Sequence, residues 1–348
     1  MTDSAATLPP LRWGILATGH IAGVFARGLR SAQTGQLVAV GSRDEAAAQR
    51  FAAEHGIDPA HAHGSREALL ADAAVEAVYV ATPHPFHEDA VVAALAAGKH
   101  VLCEKPIGMS LAEVERMQAA AATHDRTLME AWMYRCHPQT ARLVELVRAG
   151  TIGELRHVQS AFSFNAPFDA AGRLWNKALG GGGILDVGGY PLSYARLLAG
   201  VAQGTAFAEP VALHAVGVVH PETGTDVRSS AVAQFAGGMT AELSCGTDVT
   251  QENVVRVYGS KGRIVVPSPF VVHHEPEPTV LEVWADGAGA PEHITVTPDR
   301  DLYAYEADAF AAAVRAGQRE VPACPWADTR GNLAAMLDWC AQLGVRYG

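Results

Sequence analysis

From Leu11 to about Glu130, short apolar runs alternate with segments whose apolar residues recur at helical spacing. The runs at 12–18, 37–42, 77–82, 100–104 and 127–130 predict strands, and the segments at 21–32, 44–55, 86–97 and 111–123 predict helices. Regular alternation of this kind implies parallel strands joined by right-handed crossovers, with helices on both faces of a doubly wound sheet. After Arg135 the pattern changes. A helix at 138–149 leads to a strand at 155–165, a glycine-rich turn at 180–183 and a helix at 189–198. From Val211 to Val296 short alternating strands follow, among them 227–235, 239–245, 253–259 and 263–266, bounded by Gly, Pro and Asp. Their spacing suits hairpins in one large, mainly antiparallel open sheet, and two helices, 303–316 and 326–343, close the chain. The fold class is therefore α/β, a parallel doubly wound domain at 11–131 followed by an α+β domain at 132–348, with the last helix a candidate to pack back on the first domain.

Composition narrows the class. At 348 residues the chain is long for one core, so two domains are expected. Its 49% hydrophobic and 18% charged content is that of a folded, water-exposed protein, and no apolar run approaches the roughly 18 residues of a membrane span. The first ten residues carry Asp3 and lack a basic start and an apolar centre, so they do not read as a signal peptide, and a cytoplasmic location is expected. Five scattered cysteines without a C-x-x-C pair suggest neither a disulfide framework nor a zinc site. A net charge of -11 argues against nucleic acid as a partner, and no basic block marks a membrane surface. Small molecules remain as ligands.

The first strand runs through Ala17, Thr18, Gly19, His20 and Ile21 into a helix, the context in which a dinucleotide fingerprint carries meaning. Gly19 and Ala22 fill the second and third small-residue positions of G-x-G-x-x-G/A, while Ala17 replaces the first glycine. The second strand ends in Ser42 and Arg43, where a protein preferring NAD has an acidic residue for the ribose hydroxyl. A guanidinium beside a hydroxyl suits a 2′-phosphate instead, so NADP(H) is the expected cofactor and NAD(H) the weaker alternative.

Two further strand ends face the same edge. One is Thr82-Pro83-His84 with His87, the other Glu104-Lys105-Pro106. Together with the tract Ala97 to Pro106 and the run Gly181-Gly182-Gly183-Ile184-Leu185-Asp186-Val187-Gly188-Gly189-Tyr190, the chain from about Leu11 to Leu343 resembles the glucose-fructose oxidoreductase, inositol dehydrogenase and rhizopine catabolism (Gfo/Idh/MocA) family. The resemblance implies that Lys105 contacts a substrate hydroxyl and the nicotinamide ribose, and that Asp186 and Tyr190 face it from the second domain. Tyrosine at Tyr190, where many relatives carry histidine, looks like the glucose-fructose oxidoreductase, xylose dehydrogenase and dimeric dihydrodiol dehydrogenase branch and argues against inositol oxidation.

Hydride transfer from an alcohol leaves a proton that a side chain must accept. A phenol is a poor base at its ordinary pKa of about 10, and a neighbouring ammonium such as Lys105 favours the phenolate. Tyr190 is thus expected to move the proton, Lys105 to activate it, and Asp186 to orient or bind substrate, with the first two roles exchangeable. A core tyrosine and a buried helix cap are the plainer alternatives for Tyr190 and Asp186. Thr82, Pro83, His84, His87, Glu104 and Trp175 are candidate cofactor neighbours, with a structural role at the helix start equally open for His87. Trp132, Arg135, Phe164 and Asn176 are candidate substrate contacts. His84 and His87 are three apart, but the local pattern does not suggest a metal-ligand set, so no metal is expected, and His61, His63, His273 and His274 read as loop residues.

The expected activity is NADP(H)-dependent oxidation or reduction at a secondary alcohol or carbonyl of a sugar or polyol. A trans-dihydrodiol dehydrogenase on cyclic diols is the alternative, and a non-catalytic nucleotide-sensing regulator is the reading of another class. A homodimer or homotetramer through the open sheet face is expected as well.

Overall fold

In the computed structural model, which describes residues 9–270 and 276–347, the first unit is the predicted doubly wound sheet. Its elements are β1 (Leu11–Leu16), α1 (His20–Gly28), β2 (Gly35–Gly41), α2 (Glu45–His55), β3 (Ala62–His63), α3 (Arg66–Ala71), β4 (Ala77–Val80), α4 (His87–Ala96), β5 (His100–Glu104), α5 (Leu111–His124) and β6 (Leu128–Ala131). All six strands are parallel, in the order β3-β2-β1-β4-β5-β6. That order reverses direction beside β1, which opens a crevice at the carboxyl ends of β1 and β4. Central strands such as β4 and β5 are buried on both faces and therefore read as continuous apolar runs. Helix α2 begins where the Asp44 carboxylate accepts from Ala46 N and ends at Gly56 with φ +74°, a stop that needs the left-handed region.

The second unit contains α6 (Pro138–Arg148), β7 (Leu155–Ser163), a π-helical turn (Ile184–Gly188), α7 (Gly189–Gln203), β8 (Pro210–Val219), β9 (Asp226–Phe235), β10 (Thr240–Gly246), β11 (Val254–Gly259), β12 (Gly262–Val266), β13 (Thr279–Ala285), β14 (Glu292–Val296), α8 (Leu302–Arg315) and α9 (Trp326–Gln342). Its eight strands lie in the order β14-β13-β12-β11-β7-β10-β9-β8, antiparallel except for β7 against β10. Strand β9 alternates buried and exposed from Val227 on, so one sheet face carries helices and the other faces water. Helix α7 is buried at every position from Gly189 to Val201, as a helix must be when it lies between a sheet and other helices.

Both closing helices return to the first sheet. Phe310 of α8 packs on Trp13 of β1 with ring centroids 5.1 Å apart, and Phe25 stacks on Tyr79 beside them at 3.9 Å. On the other flank, Trp326 of α9 donates its indole N–H to Leu128 O, and Gln118 of α5 donates to Trp326 O. The two units thus share helices, which fixes the crevice between them.

His63 belongs to strand β3, a correction to its reading as a loop residue. Both His61 Nδ1 and His63 Nε2 donate to one oxygen of Asp72, at 2.6 and 2.8 Å. His273 and His274 lie outside the described residues.

Candidate active site

The carboxyl end of β1 fits a dinucleotide. Ala17 sits at φ +94°, the backbone that the fingerprint's first glycine supplies without strain. Gly19 caps α1, and an added Cβ there meets nothing within 4 Å, so the space in front of the helix is open for a close backbone approach. No side chain caps the helix and no acidic residue lies in its first turn, which leaves its N–H groups and positive dipole end to an anion. Thr18, His20 and Ile21 line the same turn at the surface. At the end of β2, Arg43 is exposed, with no hydrogen bond or ion pair to any described residue, whereas the Asp44 carboxylate is spent on capping α2. The Thr82 hydroxyl after β4 is buried without a partner among the described residues.

His87 staples this edge. It is fully buried, with Nδ1 2.9 Å from Pro106 O and Nε2 2.7 Å from Thr82 O, so it ties the turn after β4 to the turn that carries Lys105. Burial lowers its pKa against the pull of these carbonyls. His84 is buried too, its Nδ1 donating to Gly180 O at 3.2 Å, and burial followed by the nearby cations holds it near 3, hence neutral. Glu104 points inward, accepting from the Tyr79 hydroxyl and from Lys105 N, and burial raises its carboxyl.

The second unit contributes the facing wall. The turn at 180–183 requires glycine. At Gly182, φ is +125° and a Cβ would strike the Asp226 carboxylate, while at Gly181 it would lie 2.7–2.9 Å from three carbonyl oxygens. Asp226, wholly buried, accepts from Ile184 N at 2.7 Å and so caps the π-helical turn. Its carboxyl is raised by burial, offset by these N–H groups, to about 6. The turn presents Asp186 and α7 presents Tyr190, both almost without solvent contact. Lys105 Nζ donates to Asp186 O at 2.7 Å, lies 3.7 Å from Asp186 Oδ1 and stands 5.0 Å from the Tyr190 ring centre. Arg173, in the loop before the glycine turn, donates to Asp186 Oδ1 at 2.9 Å. Burial alone would raise the Asp186 carboxyl, but Lys105 and Arg173 pull it down to about 2.

The Tyr190 ring is boxed by Trp132 at 4.8 Å, Phe162 at 5.0 Å, Phe270 at 5.5 Å and Tyr134 at 5.7 Å. Its hydroxyl donates to Met133 Sδ at 3.7 Å. Lys105 Nζ thus faces the ring. Burial first, then neighbouring tyrosines and the Glu104 and Asp186 carboxylates, push the phenol well above 10. Desolvation thus opposes the phenolate that the ammonium favours.

Two matches to known families decide what kind of protein this is. Residues 11–132 match the oxidoreductase family with an NAD-binding Rossmann fold, and residues 140–265 match the GFO/IDH/MocA C-terminal domain. The chain belongs to the Gfo/Idh/MocA oxidoreductase family. It is 36% identical to trans-1,2-dihydrobenzene-1,2-diol dehydrogenase of Mus musculus, over 97% of this chain and 98% of that protein. It is 37% identical to D-xylose 1-dehydrogenase (NADP(+)) 2 of Haloferax volcanii, over 88% of this chain and 90% of that one. Among solved structures, a 3-ketoreductase from Actinomadura kijaniata, in complex with NADP and TDP-benzene, superposes with a TM-score of 0.83 at 26% identity, covering 97% of this chain and 99% of that one.

Within this Gfo/Idh/MocA fold, four expected contacts have other duties. Arg135 is buried in an ion pair with Asp328 at 2.9 Å and donates to Ser193, because the turn after β6 directs it into the core. Asn176 spends its side-chain oxygen on Ala178 N, capping a short 3-10 turn. Trp175 donates to Pro167 O and packs edge-on against Phe168 in its own loop. Phe164 lies beyond the end of β7 and packs against the core, so Phe162, two residues earlier, is the ring that meets Tyr190. Arg173, Met133, Phe270 and Asp226 escaped the sequence reading. Only the fold brings Arg173 to Asp186, Met133 and Phe270 to Tyr190, and Asp226 to the turn that carries Asp186.

Proposed function

We propose that this chain moves a hydride between NADP(H) and a secondary alcohol or carbonyl of a sugar, polyol or cyclic diol. The observation that carries the reading is the convergence of Lys105, Asp186 and Tyr190 beside a crevice that fits a dinucleotide. When bound, the nicotinamide supplies the hydride acceptor or donor. Exposed Arg43 favours the phosphorylated cofactor, and the partnerless Thr82 hydroxyl and open α1 N-terminus supply further polar contacts.

Tyr190 is proposed to exchange the substrate's proton. As a neutral phenol it donates to the oxygen of a carbonyl being reduced, and the Lys105 ammonium beside it offsets the charge that results. Oxidation needs the deprotonated phenol, whose pKa burial raises, so its rate should climb from pH 7 to pH 10. A flat profile would assign the proton to another group. The aromatic box of Trp132, Phe162 and Phe270 favours a cyclic substrate with an apolar face, which keeps a trans-dihydrodiol as the second reading. A non-catalytic regulator is disfavoured by the placement of Lys105 against both Asp186 and Tyr190.

The test is an oxidation panel of D-xylose, D-glucose and a trans-1,2-dihydrodiol with NADP+ and with NAD+, followed by reduced-cofactor absorbance. Turnover of none with either cofactor would overturn the proposal. We further propose a cofactor domain at 11–131, a substrate domain at 132–348, and pairing of copies through the open sheet face, where Val216 and Val232 are 75% and 56% exposed. A monomer at micromolar concentration in sedimentation velocity would contradict the pairing. A cytoplasmic setting agrees with five unpaired cysteines, and among the described residues no helix is long and apolar enough to cross a membrane.

A further inference from the structure

We infer that Arg173, together with Asp186, reads the hydroxyl next to the one that reacts, making Arg173 a specificity-determining residue for vicinal diols. This rests on the proposed alcohol-oxidising reading of the site. Arg173 spends one N–H on Asp186 Oδ1, at 2.9 Å, and its side chain is 46% exposed, against 8% for Asp186. Its remaining N–H groups have no partner among the described residues, nor does the second carboxylate oxygen of Asp186. The pair therefore presents a charged donor beside a charged acceptor. A hydroxyl group is both donor and acceptor, and it satisfies the two at once.

The position of the pair matters as much as its chemistry. Lys105 and Tyr190 mark where the reacting oxygen sits, and the Lys105 ammonium is 3.7 Å from the carboxylate oxygen that Arg173 holds. Groups this close to each other can engage two neighbouring hydroxyls, one at Lys105 and Tyr190 and the next at Asp186 and Arg173. On the other sides the Tyr190 ring is bounded by Trp132, Phe162 and Phe270, which offer no hydrogen bond to a second hydroxyl from their ring faces. An alcohol without the neighbouring hydroxyl leaves the guanidinium and carboxylate without a substrate partner. Sites built to bond a hydroxyl discriminate strongly against analogues that lack it.

The test compares trans-cyclohexane-1,2-diol with cyclohexanol, using NADP+, in the wild type, Arg173→Gln and Arg173→Lys, with NADP+ affinity measured for each. The wild type should prefer the diol. Arg173→Gln should lower kcat/KM for the diol roughly 10- to 100-fold, mainly through KM, and lower that for cyclohexanol by a clearly smaller factor, so that the diol preference shrinks. Arg173→Lys, which keeps the charge but loses the planar fork, should recover part of the preference. A residue that merely supports the loop would lower both substrates together. Equal losses on diol and mono-alcohol, or no loss on either, would overturn the inference while leaving the alcohol-oxidising reading intact. Failure of the wild type to oxidise any alcohol would instead remove that reading, and this inference with it.

Discussion

Replacing Arg43 by alanine gives a clean test of cofactor choice, because the side chain supports nothing else. It is exposed at the end of β2 and makes no hydrogen bond or ion pair with any described residue. The fold should be unaffected, and only a ligand's interaction is removed. Hydrogen bonds to a charged group contribute about 1.5–3 kcal/mol, and solvent screening at so open a site places Arg43 near the lower end. A loss of about 1.5–2 kcal/mol corresponds to a Kd increase of roughly 10- to 30-fold for NADP+. NAD+, which lacks the 2′-phosphate, should change by less than about twofold. Titration of both cofactors by tryptophan fluorescence, repeated at low and high salt, measures the difference. The NADP+ penalty should shrink as salt rises. Equal weakening of both cofactors, or no change in either, would refute the assignment of Arg43 to the phosphate.

Two stability predictions concern the frame of the site. Glu306 on α8 is wholly buried and neither carboxylate oxygen has a partner among the described residues, so burial, then Glu104, raises its pKa well above 4.5. The folded state therefore holds that proton more tightly than the unfolded chain, and stability falls as pH rises above about 4.5 towards the folded value. Glu306→Gln should stabilise more at pH 8 than at pH 5 in urea unfolding, and an equal shift at both would contradict the argument. Gly182→Ala places a Cβ against the Asp226 carboxylate and 2.6 Å from the Tyr347 hydroxyl, at φ +125°. It should cost roughly 3 kcal/mol of stability and lower kcat by displacing Asp186; an unchanged melting temperature would show that the turn has room to move.

Periodicity carried most of the first sheet, because parallel strands buried on both faces leave uninterrupted apolar runs, as at β5. It missed β3 and α3, which have two and six residues and are too short to show a period. Lys105, Asp186 and Tyr190 were legible through motifs at the ends of regular elements. Arg173 was not, since it lies in an irregular loop and gains its meaning only where the glycine turn brings it to Asp186. Arg135 misled for the opposite reason: a charged residue after a strand end suggests a ligand contact, yet its partner Asp328 comes from the last helix, nearly two hundred residues away. Around Tyr190, sequence shows the neighbouring ammonium but not the ring box that desolvates the phenol.

The most direct test of the site is Tyr190→Phe, which removes one oxygen and keeps the ring between Trp132, Phe162 and Phe270. With the best substrate from the panel, kcat should fall by roughly 10²- to 10⁴-fold, the range for loss of a positioned proton donor, while NADP+ affinity stays within about twofold. A variant that turns over as fast as the wild type would contradict the account.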